Sequence, residues 1–255
     1  MGDGVCGLSH RRVLWSVIMK SYKIDGNKQV VFSEDMKLIE LIDADYHLLS
    51  VLLRLEIELP FGDISVAQMC RRCGISPALF MLICKAYSSS DYEPDYTTLS
   101  INDASYMMKY LRASHRYYTT TLLPRIVDGV YGVLQLCEER QQVALGKFCR
   151  DYVDEVRAHL EYEEQVMFPY IDVLCNGEQP KVAMAEFMDN HSDICDKIDD
   201  LKSLIIKYLP ESCSIAQRCD LLFDIFALRE DLARHTMLEM KILAPLVERE
   251  KRRAK

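Results

Sequence analysis

The stretch HLEYEEQVMFPY, residues 159–170, sets a histidine four positions ahead of a glutamate inside an otherwise strongly helical run. At that spacing both side chains leave the same helix face, one turn apart. Val156, Val166 and Tyr170 mark that face as at least partly inward. An imidazole and a carboxylate turned toward a core need partners there, because burying either one unsatisfied is costly.

The pair recurs. His159 and Glu163 reappear 76 residues later as His235 and Glu239, and the same shift relates His115 to His191, Glu155 to Asp231 and Pro169 to Pro245. Apolar neighbours follow it too: Met108 with Met184, Leu111 with Phe187, Leu122 with Ile198. The repeating unit is therefore a helical hairpin with a lone histidine on its first arm and His-x-x-x-Glu on its second.

Spacing then places these residues at one height. Breaks in the helical pattern fall at 132–138, at CNGEQP (175–180) and at LPESCS (209–214). The midpoints between successive histidines, 137, 175 and 213, each fall in one of them. Residues equidistant from the turn of an antiparallel hairpin share a level, so the four histidines are expected in one layer of an up-down-up-down four-helix bundle. His115, His159, Glu163, His191, His235 and Glu239 converge there as candidate metal ligands. A lone inward histidine is ordinarily a hydrogen-bonded core residue, and a lone His-x-x-x-Glu pair is often a solvated surface pair. Four imidazoles and two carboxylates in one buried layer are costly without a cation, whereas a pair of metal ions uses them all. Nitrogen and oxygen donors without thiolate suit two iron ions, with manganese or zinc as poorer fits.

The remainder of the chain reads as follows. Its 255 residues are 49% hydrophobic and 27% charged, with net charge −8, which gives no electrostatic footprint for nucleic acid or an anionic membrane. The apolar run Val13–Met19 is interrupted and too short for a signal or a membrane span, so a cytoplasmic protein is expected. Ten cysteines are scattered singly through helical segments and read as free thiols. After an N-terminal extension (1–32), residues 33–88 hold short helical patterns. One opens with a capping box from Ser65 to Gln68 and ends at Gly74; the next starts at Ser76 and Pro77. A polar linker follows (89–101), then the bundle (102–250) and a basic tail (251–255). The whole is expected to be all-α, a bundle preceded by a small helical domain. Glu155 and Asp231, one turn before a histidine, could accept from the imidazoles or relay protons, or equally be charges near the bundle surface; Tyr118 and Cys195 fall close enough to line the site, but read first as core.

HLEYEEQVMFP and its repeat HTMLEMKILAP resemble the hemerythrin-like, HHE cation-binding proteins, and in particular the di-iron proteins that repair iron–sulfur clusters under nitrosative and oxidative stress. The likeness covers 105–250. It implies a carboxylate-bridged non-haem di-iron centre, oxo- or hydroxo-bridged, with Glu163 and Glu239 as bridges and the histidines capping the irons. Oxygen carriers of the family use five histidines; this chain offers four, as the repair proteins do. Those proteins also carry an N-terminal helical domain with an adjacent cysteine pair, where this chain has Pro60 and Phe61. The likeness implies a small diatomic ligand, nitric oxide or oxygen, and apo iron–sulfur proteins as partners; self-association into a homo-oligomer stays open. A second reading is a sensor whose N-terminal region contacts a protein or DNA, since SVAQMCRRCGISPALFMLICKAY has helix-turn-helix spacing. Its would-be reading face, with Ala78, Leu79 and Met81, lacks base-reading side chains.

Overall fold

The computed structural model describes residues 32–89, 92–178 and 191–253, and the side chains of 191–193 lie outside that description. Every regular element among the described residues is helical. Four short helices come first: α1 (Leu38–Ala44), α2 (Leu48–Arg54), α3 (Val66–Cys73) and α4 (Pro77–Ser88). Their boundaries follow the expected capping chemistry. Ser65 Oγ accepts from the Gln68 amide at 3.2 Å and Gln68 Oε1 accepts from the Ser65 amide at 2.9 Å. Gly74 closes α3 at φ +69°, in the left-handed region where a side chain would be strained.

Four longer helices follow. Helix α5 covers 101–134, α6 covers 139–175, α7 is His191–Tyr208 and α8 covers 215–253. Capping boxes start α5 at Ser100 with Asp103 and α8 at Ser214 with Gln217. Side by side, α5 packs on α6 and α8, and α7 packs on α6 and α8, so the contacts close into a ring. Helices α5 and α8 come close enough that a Cβ on Gly129 would sit 2.9 Å from the Leu221 side chain.

Three of the long helices share a feature absent from the expectation of regular α-helix. Each contains one wide π turn: Tyr118–Leu122 in α5, Glu163–Met167 in α6 and Glu239–Leu243 in α8. Each is followed two residues later by a proline, Pro124, Pro169 and Pro245. Proline has no N–H for the carbonyl four residues back and crowds it, and that carbonyl belongs to Thr120, Gln165 or Lys241, inside the π turn. Widening the helix there accommodates the missing bond.

The buried apolar residues form two clusters. One joins α1–α4 to the adjoining ends of α5, α6 and α8, from Leu38 and Phe80 through Leu111 and Phe168 to Val247. The other fills the opposite half of the long helices, from Tyr118 through Tyr152 to Leu232. Residues 33–88, expected as a small helical unit ahead of the bundle, thus pack directly on the long helices. The linker is tied down as well: Arg249 of α8 donates to the carbonyls of Tyr96 and Thr97 at 3.3 and 3.2 Å, and to that of Leu99. Helix α8 continues into the basic tail as far as Arg253, where Lys251 pairs with Glu248 and Arg253 with Glu250. No helix among the described residues is long and apolar enough to cross a membrane.

Because the first cluster spans both regions, a cavity cut into α4 should weaken the whole chain. Phe80 is fully buried, and Phe80→Ala is expected to cost about 3–5 kcal/mol while keeping a single unfolding transition in denaturant followed by circular dichroism. A second transition that stays at the wild-type midpoint would show instead that the N-terminal helices fold alone.

Candidate metal centre

Between the two apolar clusters lies a polar layer. It contains His115 of α5, His159 and Glu163 of α6, and His235 and Glu239 of α8. Glu163 is 1% exposed and meets three imidazoles: His115 Nε2 at 2.9 Å and His235 Nε2 at 3.5 Å from Oε2, and His159 Nε2 at 2.7 Å from Oε1. His235 Nε2 also lies 3.2 Å from Glu239 Oε1 and 3.2 Å from His115 Nε2. One ligand atom from each of His115, Glu163, His235 and Glu239 falls within 4.8 Å of all the others. Helix spacing thus brings five of the six expected ligands to one level. The side chain of the sixth, His191, lies outside the described residues, as do Met184 and Phe187 of the repeat.

The donor set fits a cation. Imidazole Nε2 atoms and carboxylate oxygens face one another, and two Nε2 atoms within 3.2 Å invite an electrophile between them. The same carboxylates favour a protonated His235: burial pulls its imidazole down, but Glu239 and Glu163 outweigh it and raise its pKa to about 10. Against the ordinary 6.5, this proton stabilises the metal-free fold fully below about pH 6.5, and the contribution is lost as pH rises through about 10. A metal ion must displace it.

Each imidazole is oriented differently. His115 Nδ1 lies 2.8 Å from Glu164 Oε1, and Arg112 Nε donates to the other oxygen of that carboxylate at 3.1 Å. The ring stacks on Phe168 at 5.4 Å, and the Arg112 guanidinium also lies over the Phe168 ring, 5.0 Å from its centroid. Sequence reading missed Glu164. A second glutamate directly after the ligand glutamate was the available signal, but one step around the helix turns it off the ligand face. His235 has no such acceptor: its Nδ1 makes no hydrogen bond among the described residues. Its ring packs edge-on against Tyr118 at 5.8 Å, so Tyr118 does border the centre.

Asp231 needs correcting. It was expected as an acceptor for His235 or a proton relay, yet its carboxylate turns away to Arg54 and Tyr87. The guanidinium and phenol offer a charge and three donors in one place, which a single imidazole cannot match. Glu155 pairs with Lys197 of α7 on the flank of the bundle. Cys195 is half-buried against the second apolar cluster, where burial pushes its thiol up. In the N-terminal helices Cys70, Cys73 and Cys84 are free, and burial raises the Cys70 thiol to about 12 and that of Cys84 further. Cys70 and Cys84 are packing thiols rather than nucleophiles, whereas Cys73 lies at the surface.

Two outcomes follow from the geometry. Glu163→Ala and Glu239→Ala should lose metal altogether or nearly so, and Glu164→Ala should weaken it about 10–100-fold, while Glu155→Ala retains it; equal retention in all four, by elemental analysis after dialysis, would contradict the assignment. Loading the metal-free protein with iron(II) or cobalt(II) at pH 7.5 to 8 in weak buffer should release protons, read with an indicator dye, because His235 must give up its own. Loading without proton release would mean that His235 is already neutral.

Residues 109–247 match the protein family described as the hemerythrin HHE cation binding domain. No curated protein matches the chain. The match takes in every residue of the polar layer and more than half of the chain, so this protein belongs to the hemerythrin HHE cation-binding family.

Proposed function

We propose that this protein is a non-haem di-iron protein of the nitrosative and oxidative stress response. It would act by nitric oxide or oxygen chemistry at the polar layer, or by supplying iron for iron–sulfur cluster repair. The observation that carries the reading is the convergence of His115, Glu163, His235 and Glu239 within 4.8 Å, with His159 held on Glu163. With His191, whose side chain lies outside the described residues, these residues would make the six-ligand set of an up-down-up-down four-helix bundle, in which Glu163, Glu239 and the histidines would hold the iron. Iron bound there supplies redox change and open coordination positions for a diatomic ligand. The chain supplies the rest. Apolar clusters above and below the layer exclude water, Glu164 and Arg112 fix His115, and Phe168 and Tyr118 wall the imidazoles.

One observation weighs against the sensing alternative in its DNA-binding form. Helix α4, which would be the reading helix, buries Leu79, Phe80, Met81, Leu82, Ile83, Cys84, Ala86 and Tyr87. A helix enclosed on so many sides cannot enter a major groove without leaving the core.

Anaerobic metal analysis, with the optical spectrum recorded before and after nitric oxide, tests the proposal. The expected result is about two irons per chain, from two bridging carboxylates and four imidazoles, with a spectrum that changes on nitric oxide. In air the reduced protein should oxidise without a long-lived reversible adduct and should yield iron to a modest chelator. A stable, reversible oxygenated form with firmly retained iron would make it a carrier instead.

A further inference from the structure

The N-terminal helices carry no reactive thiol pair, yet one of their side chains reaches the layer next to the metal ligands. Arg54 ends α2 and is 2% exposed. Its Nη1 donates to Asp231 Oδ1 at 2.9 Å and to the Tyr110 hydroxyl at 3.2 Å, while Nη2 donates to Asp231 Oδ2. Tyr87 of α4 donates to Asp231 Oδ1 at 2.8 Å, and Tyr110 of α5 donates to Tyr87 at 2.5 Å. The guanidinium carbon lies 5.4 Å from the Tyr117 ring centroid and 5.6 Å from that of Tyr118.

Both ends of this clamp lead to His235. Asp231 sits one turn before it on α8. Tyr118, the first residue of the α5 π turn, packs edge-on to its ring, and the Tyr118 hydroxyl donates to the Asp231 carbonyl oxygen at 3.3 Å. His115 has Glu164 to set its orientation; among the described residues His235 has no hydrogen bond at Nδ1, so beyond its Nε2 contacts with Glu163 and Glu239 its place depends on the register of α8 and on the wall that Tyr118 provides. The repeat does not explain the clamp, because Glu155, the counterpart of Asp231, points to a flank lysine. Nor does stability alone favour it, since a buried ion pair can often be replaced by apolar side chains without loss. A planar fork held by two carboxylate oxygens fixes direction as well as distance.

We propose that Arg54 is a positioning residue for the metal centre: the N-terminal helices hold His235 in place through the Arg54–Asp231 pair and the tyrosines around it. The inference rests on the metal reading above. It gives residues 33–88 a role in the centre that needs no cysteine chemistry.

The test uses the full-length protein loaded with cobalt(II), reading its visible absorption and the rate of metal loss to a chelator. Arg54→Lys keeps the charge but not the fork, and the double variant Arg54→Met with Asp231→Leu removes both charges so that neither is left buried alone. Leu41→Ala, in the fully buried N-terminal core but away from the clamp, is the control for lost stability. Both Arg54 variants should shift the cobalt bands and speed metal loss about tenfold or more, with Leu41→Ala within about twofold of wild type by the same measure. Wild-type bands and rates in the Arg54 variants, or an equal change in Leu41→Ala, would overturn the inference and leave the metal reading standing. A wild-type chain that takes up neither cobalt nor iron would overturn both.

Discussion

The Glu163 carboxylate is the constraint on which the rest of the structure depends. It is almost fully buried and lies within hydrogen-bonding or ion-pairing reach of histidines from three contacts on three helices, α5, α6 and α8. An anion so placed is tolerable only if cations or donors surround it. In the metal-free chain the surrounding imidazoles serve, and the raised pKa of His235 records how strongly Glu163 and Glu239 demand a positive charge. The same convergence of carboxylate oxygens and imidazole nitrogens could hold a metal ion.

Helix geometry around the layer is bent to the same end. The π turns of α6 and α8 begin at the candidate ligands Glu163 and Glu239, and the α5 turn begins three residues after His115. An extra residue in a turn rotates everything beyond it, so the apolar face after the layer need not share the phase of the face before it. This allows α5, α6 and α8 each to serve two different cores, one against its bundle partners and one against α1–α4. The prolines that accompany the widening, Pro124, Pro169 and Pro245, follow each π turn by two residues.

Much of this was legible in sequence. The 76-residue repeat and the midpoint arithmetic placed His115, His159 and His235 at one height, because rise per residue is nearly constant in a helix and antiparallel hairpins preserve level. Capping residues marked Ser65, Gly74 and Ser76 for the same local reasons. The π turns were not seen, although Pro169 and Pro245 stood in the repeat, since a proline in a helix was read as alignment and not as a missing hydrogen bond. The partner of Asp231 was hidden for a different reason. Spacing along one helix says which side chains share a face, but not that an arginine 177 residues earlier in the chain will arrive there.

That arrival alters the meaning of the N-terminal region. Read alone, α3 and α4 resemble a DNA-binding pair or a thiol domain that has lost its cysteines. In the fold, α4 is interior, Cys70 and Cys84 are buried, and Tyr87 and Arg54 point into the bundle. Such a region can serve through its packing alone. Asp231 makes it needed here: a carboxylate 7% exposed in the middle of α8 would face the core uncompensated without Arg54. The N-terminal helices and the ligand-bearing helices therefore complete one another, through apolar area over a broad surface and through one charge pair next to His235.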